Sequence, residues 1–295
     1  MWTEQWSFKK QKPFFLDVVS GRRTWEHPVP SVAESYDGVA EAVAAQEDGV
    51  KPRALQEVRF FHNQVKGFAL HTAMGGRQQL RALDVCCGKG GDLHKWMKSN
   101  QVAELCGFDV SPSCIEEANK RAREQDWVAR FKVHDGRKKG PWEQGTFGVI
   151  SCQFAVHYFF SSSKLASHFF ANCAQLSNPT TRLVLTYVDE ERLRSHLWGK
   201  EAMPDFCSVT TQVAEPSKGQ PFPYIFHLDG SVNQLAEYSV PQSVMHALLA
   251  THGWSVEVDE LFVEFGRKHC MCLPTFEEGF IISRLYRVLI ARRSQ

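Results

Sequence analysis

Polar side chains follow three successive apolar runs in the middle of the chain. Asp109 ends the run AELCGFD, Asp135 follows ARFKVH, and Gln153 ends FGVISCQ. The carboxyl ends of parallel strands meet at one edge of a sheet, and open α/β sheets bind ligands at that edge. Asp109 comes 19 residues after Gly90, where a carboxylate can accept hydrogen bonds from both ribose hydroxyls of an adenosine. The pattern therefore predicts a nucleoside site.

A glycine-rich turn precedes this predicted site. The run RALDVCC leads directly into GKGGD and then into a helix-length segment. Such a turn lets a ligand approach the backbone closely and directs amide groups at it. Neither GxxxxGK[ST] nor GxGxxG occurs in this turn, which disfavours a P-loop or a dinucleotide site. The alternative is that Asp109 and Asp135 only cap helices, which is the less expected reading for polar groups at three consecutive strand ends.

The elements that would position these groups alternate between strand-like and helix-like segments. RALDVCC, AELCGFDVS, ARFKVHD, FGVISCQF and TRLVLTYV are separated by stretches such as DLHKWMKSN and PSCIEEANKRAREQ. Ser111 followed by Pro112 predicts the start of the second crossover helix. Upstream, apolar residues recur every three or four positions from Leu55 to Phe68, which predicts an amphipathic helix. The alternation predicts an α/β fold with a mostly parallel sheet.

Composition and charge narrow the class of protein. The 295 residues are 43% hydrophobic and 23% charged, with a net charge of +1, which is ordinary for a globular chain. No stretch approaches the roughly 18 apolar residues of a spanning helix, and MWTEQWSFKK lacks a signal-peptide core, so we expect an intracellular protein without a membrane partner. The nine cysteines have irregular spacings, which predicts reduced thiols. Near neutrality predicts that any nucleic acid is gripped only at one end or over a short piece.

Four motifs, in their order and spacing, resemble a known family. DVCCGKGGD, FDVS, HDG and CQFAVHYFF are similar to the motifs of mRNA cap guanine-N7 methyltransferases, which use S-adenosylmethionine (AdoMet). RFFHNQVK, YIFHLDG, LAEYSVP and SRLYRVLI extend the resemblance to roughly residues 55 to 292. The resemblance implies a Rossmann-like seven-stranded sheet of the AdoMet-dependent methyltransferase type, with AdoMet as cofactor.

The resemblance also implies a role for each matching position. The positions implied to bind AdoMet are Lys66, Asp84, Gly88, Asp92, Asp109, Asp135 and Gln153. Among them, Lys66 would pair with the AdoMet carboxylate, Asp109 would hold the ribose, and Asp135 would contact the adenine edge. The positions implied to reach the cap triphosphate are Lys89 and Arg121. Those implied to form the guanine pocket are Phe154, His157, Tyr158, Glu237 and Tyr286.

Elementary chemistry agrees with the implied pocket. A carboxylate such as Glu237 can accept from guanine N1–H and N2–H together, which adenine cannot match. Arg59, Asn63 and Lys66 fall at i, i+4 and i+7, so one stripe of the first helix would face the ligand. Guanine N7 is a lone-pair nucleophile that needs no general base. We therefore expect catalysis by alignment and electrostatics, with neither an acid/base dyad nor a metal.

Some positions depart from the pattern of this family. Cys86 stands where the turn usually has its first glycine, a replacement tolerated if φ is negative there. Tyr187 stands where the family has a proline after its fifth strand, and His62 replaces one of two paired asparagines. The segment HCMC at residues 269–272 could suggest a metal site, but no second ligand pair of suitable spacing accompanies it.

The N-terminal segment resembles a WW domain. Trp2 and Trp25 lie 23 residues apart, with Pro28 three residues further on. The resemblance implies that Phe15 and Trp25 line a groove for a proline-rich or phospho-Ser-Pro partner such as the RNA polymerase II tail. Val18 replaces the histidine often found in such a groove. The alternative is a structural hairpin that packs on the enzyme.

These observations divide the chain into three parts. We expect a WW-like domain at residues 1–30, a linker at 31–52 and a cap guanine-N7 methyltransferase domain at 53–295; residues 29–50 carry five acidic and no basic side chains. The expected function is transfer of a methyl group from AdoMet to N7 of the guanine cap at the 5′ end of mRNA, by a monomeric enzyme in the nucleus. The alternatives are a small-molecule AdoMet methyltransferase and a non-catalytic cap-binding scaffold.

Overall fold

The computed structural model describes residues 53–138, 142–199, 201–229 and 232–294, together with the backbone of three short strands near the N-terminus. Those strands are β1 (Trp2–Ser7), β2 (Lys12–Asp17) and β3 (Arg23–Thr24). They form an antiparallel sheet in the order β1-β2-β3, with Trp2 opposite Asp17. The expected groove residue Trp25 and the linker at 31–52 lie outside the described residues, and Phe15 is described only as part of the β2 backbone. The WW-like groove therefore stays a prediction.

From residue 53 onward, helices and strands alternate along the chain. In chain order they are α1 (Arg53–Met74), β4 (Leu80–Val85), α2 (Leu93–Met97), β5 (Val102–Asp109), α3 (Pro112–Glu124), β6 (Ala129–Val133), β7 (Phe147–Gln153), a 3-10 helix (Val156–Ser161), α4 (Ser163–Gln175), β8 (Ser177–Val188), α5 (Glu190–Leu197), β9 (Cys207–Thr210), β10 (Pro223–Leu228), β11 (Val232–Tyr238), α6 (Gln242–Thr251), β12 (Trp254–Leu261), α7 (Phe262–Lys268), α8 (Glu277–Ser283) and β13 (Tyr286–Arg293).

Seven of these strands form one sheet in the order β12-β13-β8-β7-β4-β5-β6. The strands from β8 to β6 in this order run parallel to their neighbours, whereas β13 is antiparallel to both β8 and β12. The predicted seven-stranded α/β sheet is thus confirmed. The chain reverses its direction of travel across the sheet between β4 and β7, and such a switch point leaves a crevice at the carboxyl ends of the strands.

A second, antiparallel sheet in the order β11-β10-β9 stands beside this crevice. Its strand β11 packs against the 3-10 helix that follows β7. The register of β10 and β11 sets Tyr224 directly opposite Glu237. Since directly opposed residues point to the same face of a sheet, this register brings the two side chains together.

Helix α1 covers the sheet with the apolar stripe that the sequence predicts. Leu55, Val58, Phe61 and Val65 are almost completely buried. Phe68, which the same periodicity assigns to the stripe, is 37% exposed and contacts the rings of Phe265 and His269 at the rim. The buried stripe therefore fixes the rotation of α1, and with it the direction in which its polar stripe faces.

Local signals explain other boundaries. Ser111 accepts a hydrogen bond from Cys114 N at 3.1 Å, and Pro112 opens α3, as predicted. All nine cysteines lie in the described part of the chain and are free thiols. Within the described residues, each helix is too short or too polar to cross a membrane.

Candidate functional site

Two adjoining cavities open where the carboxyl ends of β4, β5 and β7 meet α1 and the second sheet. The first, of about 290 Å³, is lined by the glycine-rich turn and the ends of β5 and β7, and we call it the glycine-loop cavity. The second, of about 270 Å³, lies among aromatic rings between α1 and β11, and we call it the aromatic cavity. Lys66 and Phe154 line both cavities, so the two occupants would be neighbours.

The glycine-rich turn holds Asp109 in a fixed position. Gly88 N donates to Asp109 Oδ2 at 2.9 Å, and Ser111 N donates to Oδ1 at 3.0 Å. Gly88 has a φ of +51° and Gly90 a φ of +69°, a region that favours glycine. A Cβ on Gly90 would also approach Ala118 Cβ to 3.2 Å. The conformation of the turn therefore favours glycine at both positions, and the turn presents an oriented carboxylate on the cavity wall.

Cys86, also on the wall of this cavity, differs from its expected conformation. A negative φ was the condition under which a cysteine could replace the first glycine of the turn. Its φ is +57°, the left-handed region, where a side chain costs about 1–2 kcal/mol. The turn therefore keeps the backbone shape of a glycine at a position that carries a thiol.

Lys66, Asp84 and Asp92 line the end of the glycine-loop cavity nearest α1, and Lys95 pairs with Asp92 there. Lys66 Nζ lies 2.8 Å and Lys95 Nζ 2.7 Å from Asp92 Oδ1. Burial raises the pKa of Asp92, but the two ammonium groups outweigh that effect and hold it below its usual value. Burial and the neighbouring Asp92 raise the pKa of Asp84 well above its usual value, which favours its neutral form. Lys66 and Lys95 therefore place two ammonium groups at this end of the cavity, which suits a carboxylate ligand.

The end of β7 is held by hydrogen bonds to β8. Thr186 Oγ1 donates to Gln153 Oε1 at 2.9 Å, and Gln153 Nε2 donates to Ser151 Oγ at 3.0 Å. Phe154 N donates to Thr186 O at 3.0 Å, and Phe154 has a φ of +55°. Lys66 Nζ lies 5.4 Å from the centre of the Phe154 ring. These contacts fix the ring that separates the two cavities.

The structure places several predicted residues around the glycine-loop cavity. The predicted residues on its wall are Lys66, Asp84, Gly88, Lys89, Asp92, Asp109, Gln153, Phe154 and Tyr158. Tyr158, which the resemblance assigns to the guanine pocket, lies on this wall and is not among the described wall residues of the aromatic cavity. Lys89, assigned to the cap triphosphate, shares the wall with the groups assigned to AdoMet.

Two predicted residues are not among the described wall residues of either cavity. Asp135 accepts hydrogen bonds from Arg137 Nε at 3.0 Å and Nη2 at 3.1 Å, and these bonds help to lower its pKa although burial opposes them. Arg121 donates to Glu117 one turn away on α3, at 2.7 Å. Both side chains are therefore engaged with a neighbour in the sequence, and their expected ligand contacts stay predictions.

The aromatic cavity is built from α1, the 3-10 helix and strands β8, β10, β11 and β13. Its wall residues are Val58, Arg59, His62, Asn63, Lys66, Phe154, His157, Tyr187, Val188, Phe226, Leu228, Glu237 and Tyr286. The polar stripe predicted for α1 therefore faces this cavity. The Phe154 and Tyr286 rings meet edge to face, with 4.9 Å between their centres. Such rings can pack against a flat base.

Glu237 is the acidic group on this wall. Tyr224 Oη donates to Glu237 Oε2 at 2.6 Å, and His157 Nε2 lies 3.5 Å from Oε1. Burial raises the pKa of Glu237 to about 7, although the Tyr224 hydrogen bond opposes the rise. Burial lowers the pKa of His157 to about 3, so the imidazole is neutral. Both of its ring nitrogens lack a hydrogen-bond partner among the described residues, which leaves them for a ligand.

The two other departures from the family's pattern also lie at this cavity. His62 is buried, lies 3.1 Å from Ser283 Oγ, and faces the Tyr286 ring at 4.9 Å. Burial lowers its pKa to about 3, so it is neutral as an asparagine would be. Tyr187 lines the cavity on β8, and its buried hydroxyl has no partner among the described residues.

Sequence reasoning missed Tyr224 and Lys95. Tyr224 lies in the quoted segment YIFHLDG, but only the register of the hairpin shows that it opposes Glu237. Lys95 lies three residues after Asp92 on α2, where i,i+3 spacing alone suggests an ion pair. The segment at residues 269–272 gathers no metal site: within the described chain, His, Cys, Asp and Glu form no group of three or more that could hold an ion.

Comparison with a family model identifies the protein family to which this chain belongs. The model of the mRNA (guanine-N(7))-methyltransferase domain matches residues 26–273, which is most of the chain. The chain belongs to this family. The predicted family is thereby confirmed, and the two cavities lie within its matched region apart from Tyr286 on the last strand.

Relatives of this family are similar over most of the chain. The mRNA cap guanine-N(7) methyltransferase of Drosophila melanogaster is 29% identical over 68% of this chain and 53% of its own length. The enzyme of the same description from Schizosaccharomyces pombe is 26% identical over 81% of this chain and 71% of its own length, and that from Caenorhabditis briggsae is 29% identical over 79% and 65%. The chain thus spans between about half and seven tenths of these relatives.

Solved structures share the fold. An S-adenosylmethionine-dependent methyltransferase from Clostridium acetobutylicum superposes with a TM-score of 0.57 at 11% identity, covering 88% of this chain and 99% of that one. Magnesium protoporphyrin IX methyltransferase from Synechocystis, with bound S-adenosylmethionine, gives a TM-score of 0.56 at 16% identity, covering 91% and 100%. The fold is therefore that of AdoMet-dependent methyltransferases, as the sequence predicts.

Proposed function

We propose that this chain transfers a methyl group from AdoMet to N7 of the guanine cap at the 5′ end of mRNA. One observation carries the proposal: a cavity with an oriented carboxylate and a paired lysine adjoins an aromatic cavity with a buried carboxylate, and Phe154 lines both. The first set of groups fits the two ends of AdoMet, and the second fits guanine.

The residues of the glycine-loop cavity fit AdoMet as follows. Asp109 is a carboxylate on the cavity wall, and a carboxylate is an acceptor of the kind that ribose hydroxyls need. The cluster of Lys66, Lys95 and Asp92 suits the carboxylate of the methionine end. When bound, AdoMet supplies an electrophilic methyl group on a sulfonium.

The aromatic cavity fits guanine through its one acid and its rings. Glu237 can accept from N1–H and N2–H together, which discriminates guanine from adenine. The neutral imidazole of His157 offers a second polar contact beside it. Phe154 and Tyr286 supply apolar faces for the base. Lys89 is the cation that we assign to the triphosphate, with Arg121 contributing from α3.

The reaction requires the protein to align the two reactants. It does not require the protein to remove a proton from the nucleophile. Guanine N7 attacks with its own lone pair, so no side chain needs to remove a proton from it. The protein holds nucleophile and methyl group in line, which replaces a bimolecular encounter with an oriented one. Ionised Glu237 also favours the positive charge that develops on the purine.

The assignment of the cavities implies the substrate, and the N-terminal segment provides the basis for a proposed partner. The substrate is the 5′ end of a capped RNA, and we place the activity in a monomeric nuclear enzyme whose catalytic domain is residues 53–295. For residues 1–30 we propose a WW-like domain, with Phe15 and Trp25 at a groove for a proline-rich or phosphorylated peptide. Fluorescence titration with phosphorylated heptad peptides tests that groove. Trp25→Ala should abolish the binding, and an absence of binding to the unaltered chain would leave only a structural role.

The activity is tested by following the label from radioactive AdoMet. The acceptors are GpppRNA, ApppRNA, RNA already methylated at the cap guanine N7, and free GTP. We expect label in GpppRNA and none in the N7-methylated RNA. Label in small molecules but not in RNA would indicate a small-molecule methyltransferase. Cap binding without any transfer would indicate a scaffold, and either result would overturn the proposal.

Two variants assign the cavities. Glu237→Ala should lose methylation of GpppRNA while AdoMet affinity is retained, because its side chain lies in the aromatic cavity. Asp109→Ala should lose AdoMet affinity itself. Calorimetric titration with AdoMet separates the two, and equal effects of both variants on AdoMet affinity would contradict the assignment.

A further inference from the structure

Glu237 is placed so that one of its oxygens is already occupied and the other is not. The residue is 4% exposed, and Oε2 accepts the hydrogen bond from Tyr224 Oη. Oε1 accepts no hydrogen bond from the described residues, because His157 Nε2 stands 3.5 Å away and forms none. An incoming base can therefore reach Oε1 directly, whereas at Oε2 it would share the oxygen with Tyr224 Oη.

The groups that face Glu237 from the neighbouring elements are all uncharged. They are His157 on the 3-10 helix, Tyr224 on β10, Tyr286 on β13 and Cys207 on β9. Burial lowers the pKa of His157 to about 3, raises that of Cys207 to about 12, and raises those of both tyrosines well above their usual value. Among the described residues, burial and the Tyr224 hydrogen bond set the pKa of Glu237, and no positive charge contributes to it.

The cations on the same wall come from α1. They are Arg59 and Lys66, and Lys66 is committed to Asp92 at 2.8 Å. Arg59 donates to the backbone oxygen of Asp229 at 3.3 Å. Neither cation outweighs the effect of burial, which raises the pKa of Glu237 to about 7. The carboxylate is thus a considerably stronger base than an exposed glutamate.

Methyl transfer, as proposed above, changes the acidity of the base in this cavity. The N7–C bond forms, the S–C bond breaks with its electron pair left on sulfur, and the positive charge passes to the purine. A cationic purine holds its N1 proton less tightly, because losing that proton removes the net charge in a medium of low polarity. The reaction therefore acidifies the N1–H group that faces Glu237 Oε1.

We propose that Glu237 accepts the N1 proton of the guanine once N7 has been methylated. The N1–H bond breaks, its electron pair stays on N1, and the proton binds Oε1. The cavity then holds a neutral carboxylic acid beside a purine without net charge. Charge-assisted hydrogen bonds are roughly twice as strong as neutral ones, so the product is held by a weaker hydrogen bond than the substrate, whose N1–H donates to the carboxylate. The proton leaves to solvent after release, which restores the carboxylate.

The step makes Glu237 distinguish product from substrate by the position of one proton. Unmethylated guanine keeps its N1 proton and is bound by the ionised form of Glu237. Methylated guanine gives up the proton and meets an acid. The same side chain would thereby bind the substrate firmly and release the product. This inference rests on the proposed function.

The experiment measures the protonation state of the purine and of the carboxyl group at pH 7, in one complex of the full chain with the dinucleotide m7GpppA. Ultraviolet absorption reports the purine, because N7-methylguanine absorbs differently as the cation and as the N1-deprotonated form. Free m7GpppA at low and high pH supplies the two references, and bound GpppA corrects for burial in the cavity. Infrared difference spectra between the m7GpppA and GpppA complexes report whether a carboxyl group has gained a proton.

We expect the N1-deprotonated spectrum together with a new carboxylic-acid band. That band should be absent in Glu237→Gln and unchanged in Glu257→Gln, which alters an exposed acid paired with Arg182. Should Glu237→Gln fail to fold, Tyr224→Phe serves in its place: the loss of a hydrogen bond to the carboxyl group should shift the band. A cationic purine, or a deprotonated purine without the acid band, would overturn the proposal. Labelled methyl transfer to GpppA by the same preparation separates this failure from a failure of the proposed function.

Discussion

The hydrogen bond from Tyr224 to Glu237 should set the pH at which the cap is captured. Tyr224→Phe removes the donor, 2.6 Å from Oε2, without changing the volume of the ring. A hydrogen bond to a charged group contributes about 1.5–3 kcal/mol. It stabilises the ionised carboxyl group, so its loss should move the titration of Glu237 upward by about one to two pH units.

The sign and size of the effect follow from the protonation of Glu237. Its pKa of about 7 lies above that of a free carboxyl group, so the acceptor form is gained as pH rises through 7. At pH 7 the unaltered chain is about half ionised, and the variant would be about 1–10% ionised. The kcat/KM for capped RNA should therefore fall about five- to fiftyfold at pH 7 and recover toward pH 9.

The assay is methylation of GpppRNA at subsaturating RNA and saturating AdoMet, between pH 6 and pH 9. His157 does not titrate in this range, since its pKa is about 3. Tyr238→Phe is the matched control, because Tyr238 follows Glu237 on β11 and alternate strand residues face opposite ways. AdoMet affinity should be the same in all three proteins. A midpoint that stays in place or moves downward in Tyr224→Phe would refute the reasoning.

Three further changes probe the glycine-loop cavity. Asp109→Asn removes a carboxylate that accepts two backbone hydrogen bonds, so the AdoMet dissociation constant should rise about ten- to hundredfold in calorimetric titration; an unchanged constant would contradict its role. Lys95→Gln removes one of the two ammonium groups at Asp92, so the affinity for AdoMet should fall about tenfold while the affinity for decarboxylated AdoMet stays the same. Lys98→Gln, which alters an exposed lysine, should change neither affinity. An equal loss of affinity for both ligands in Lys95→Gln would argue for a structural role. Cys86→Gly should be more stable to urea than Cys86→Ala by about 1 kcal/mol, because only glycine is unstrained at a positive φ; an equal or reversed order would contradict the strained turn.

The sheet and its carboxyl edge could be predicted because the signals for them are local. Apolar runs of strand length alternate with helix-length segments, and Ser111–Pro112 marks a helix start on its own. Asp109 and Gln153 could then be placed at one edge by topology alone. The stripe of Arg59, Asn63 and Lys66 on α1 followed from helical spacing in the same way.

The remaining features depend on contacts between distant parts of the chain. Tyr224 meets Glu237 only through the register of β10 and β11, which no short motif encodes. The positive φ of Cys86 is imposed by the turn around it, and the residue type argued for the opposite sign. Asp135 shows a further limit, because its place at a strand end did not reveal that Arg137 would hold both carboxylate oxygens.

The wall made by Lys66 and Phe154 has a consequence for inhibition. The same two side chains line both cavities. A ligand in one cavity that moves either side chain therefore changes the affinity of the other cavity for its own ligand, and this coupling must be reciprocal. Consider a single compound in which a short tether joins two nucleosides, one for each cavity. Once the first nucleoside is bound, binding of the second is an intramolecular step. Short flexible tethers give effective concentrations of about millimolar. Such a compound would select for proteins in which the two cavities stand this close together.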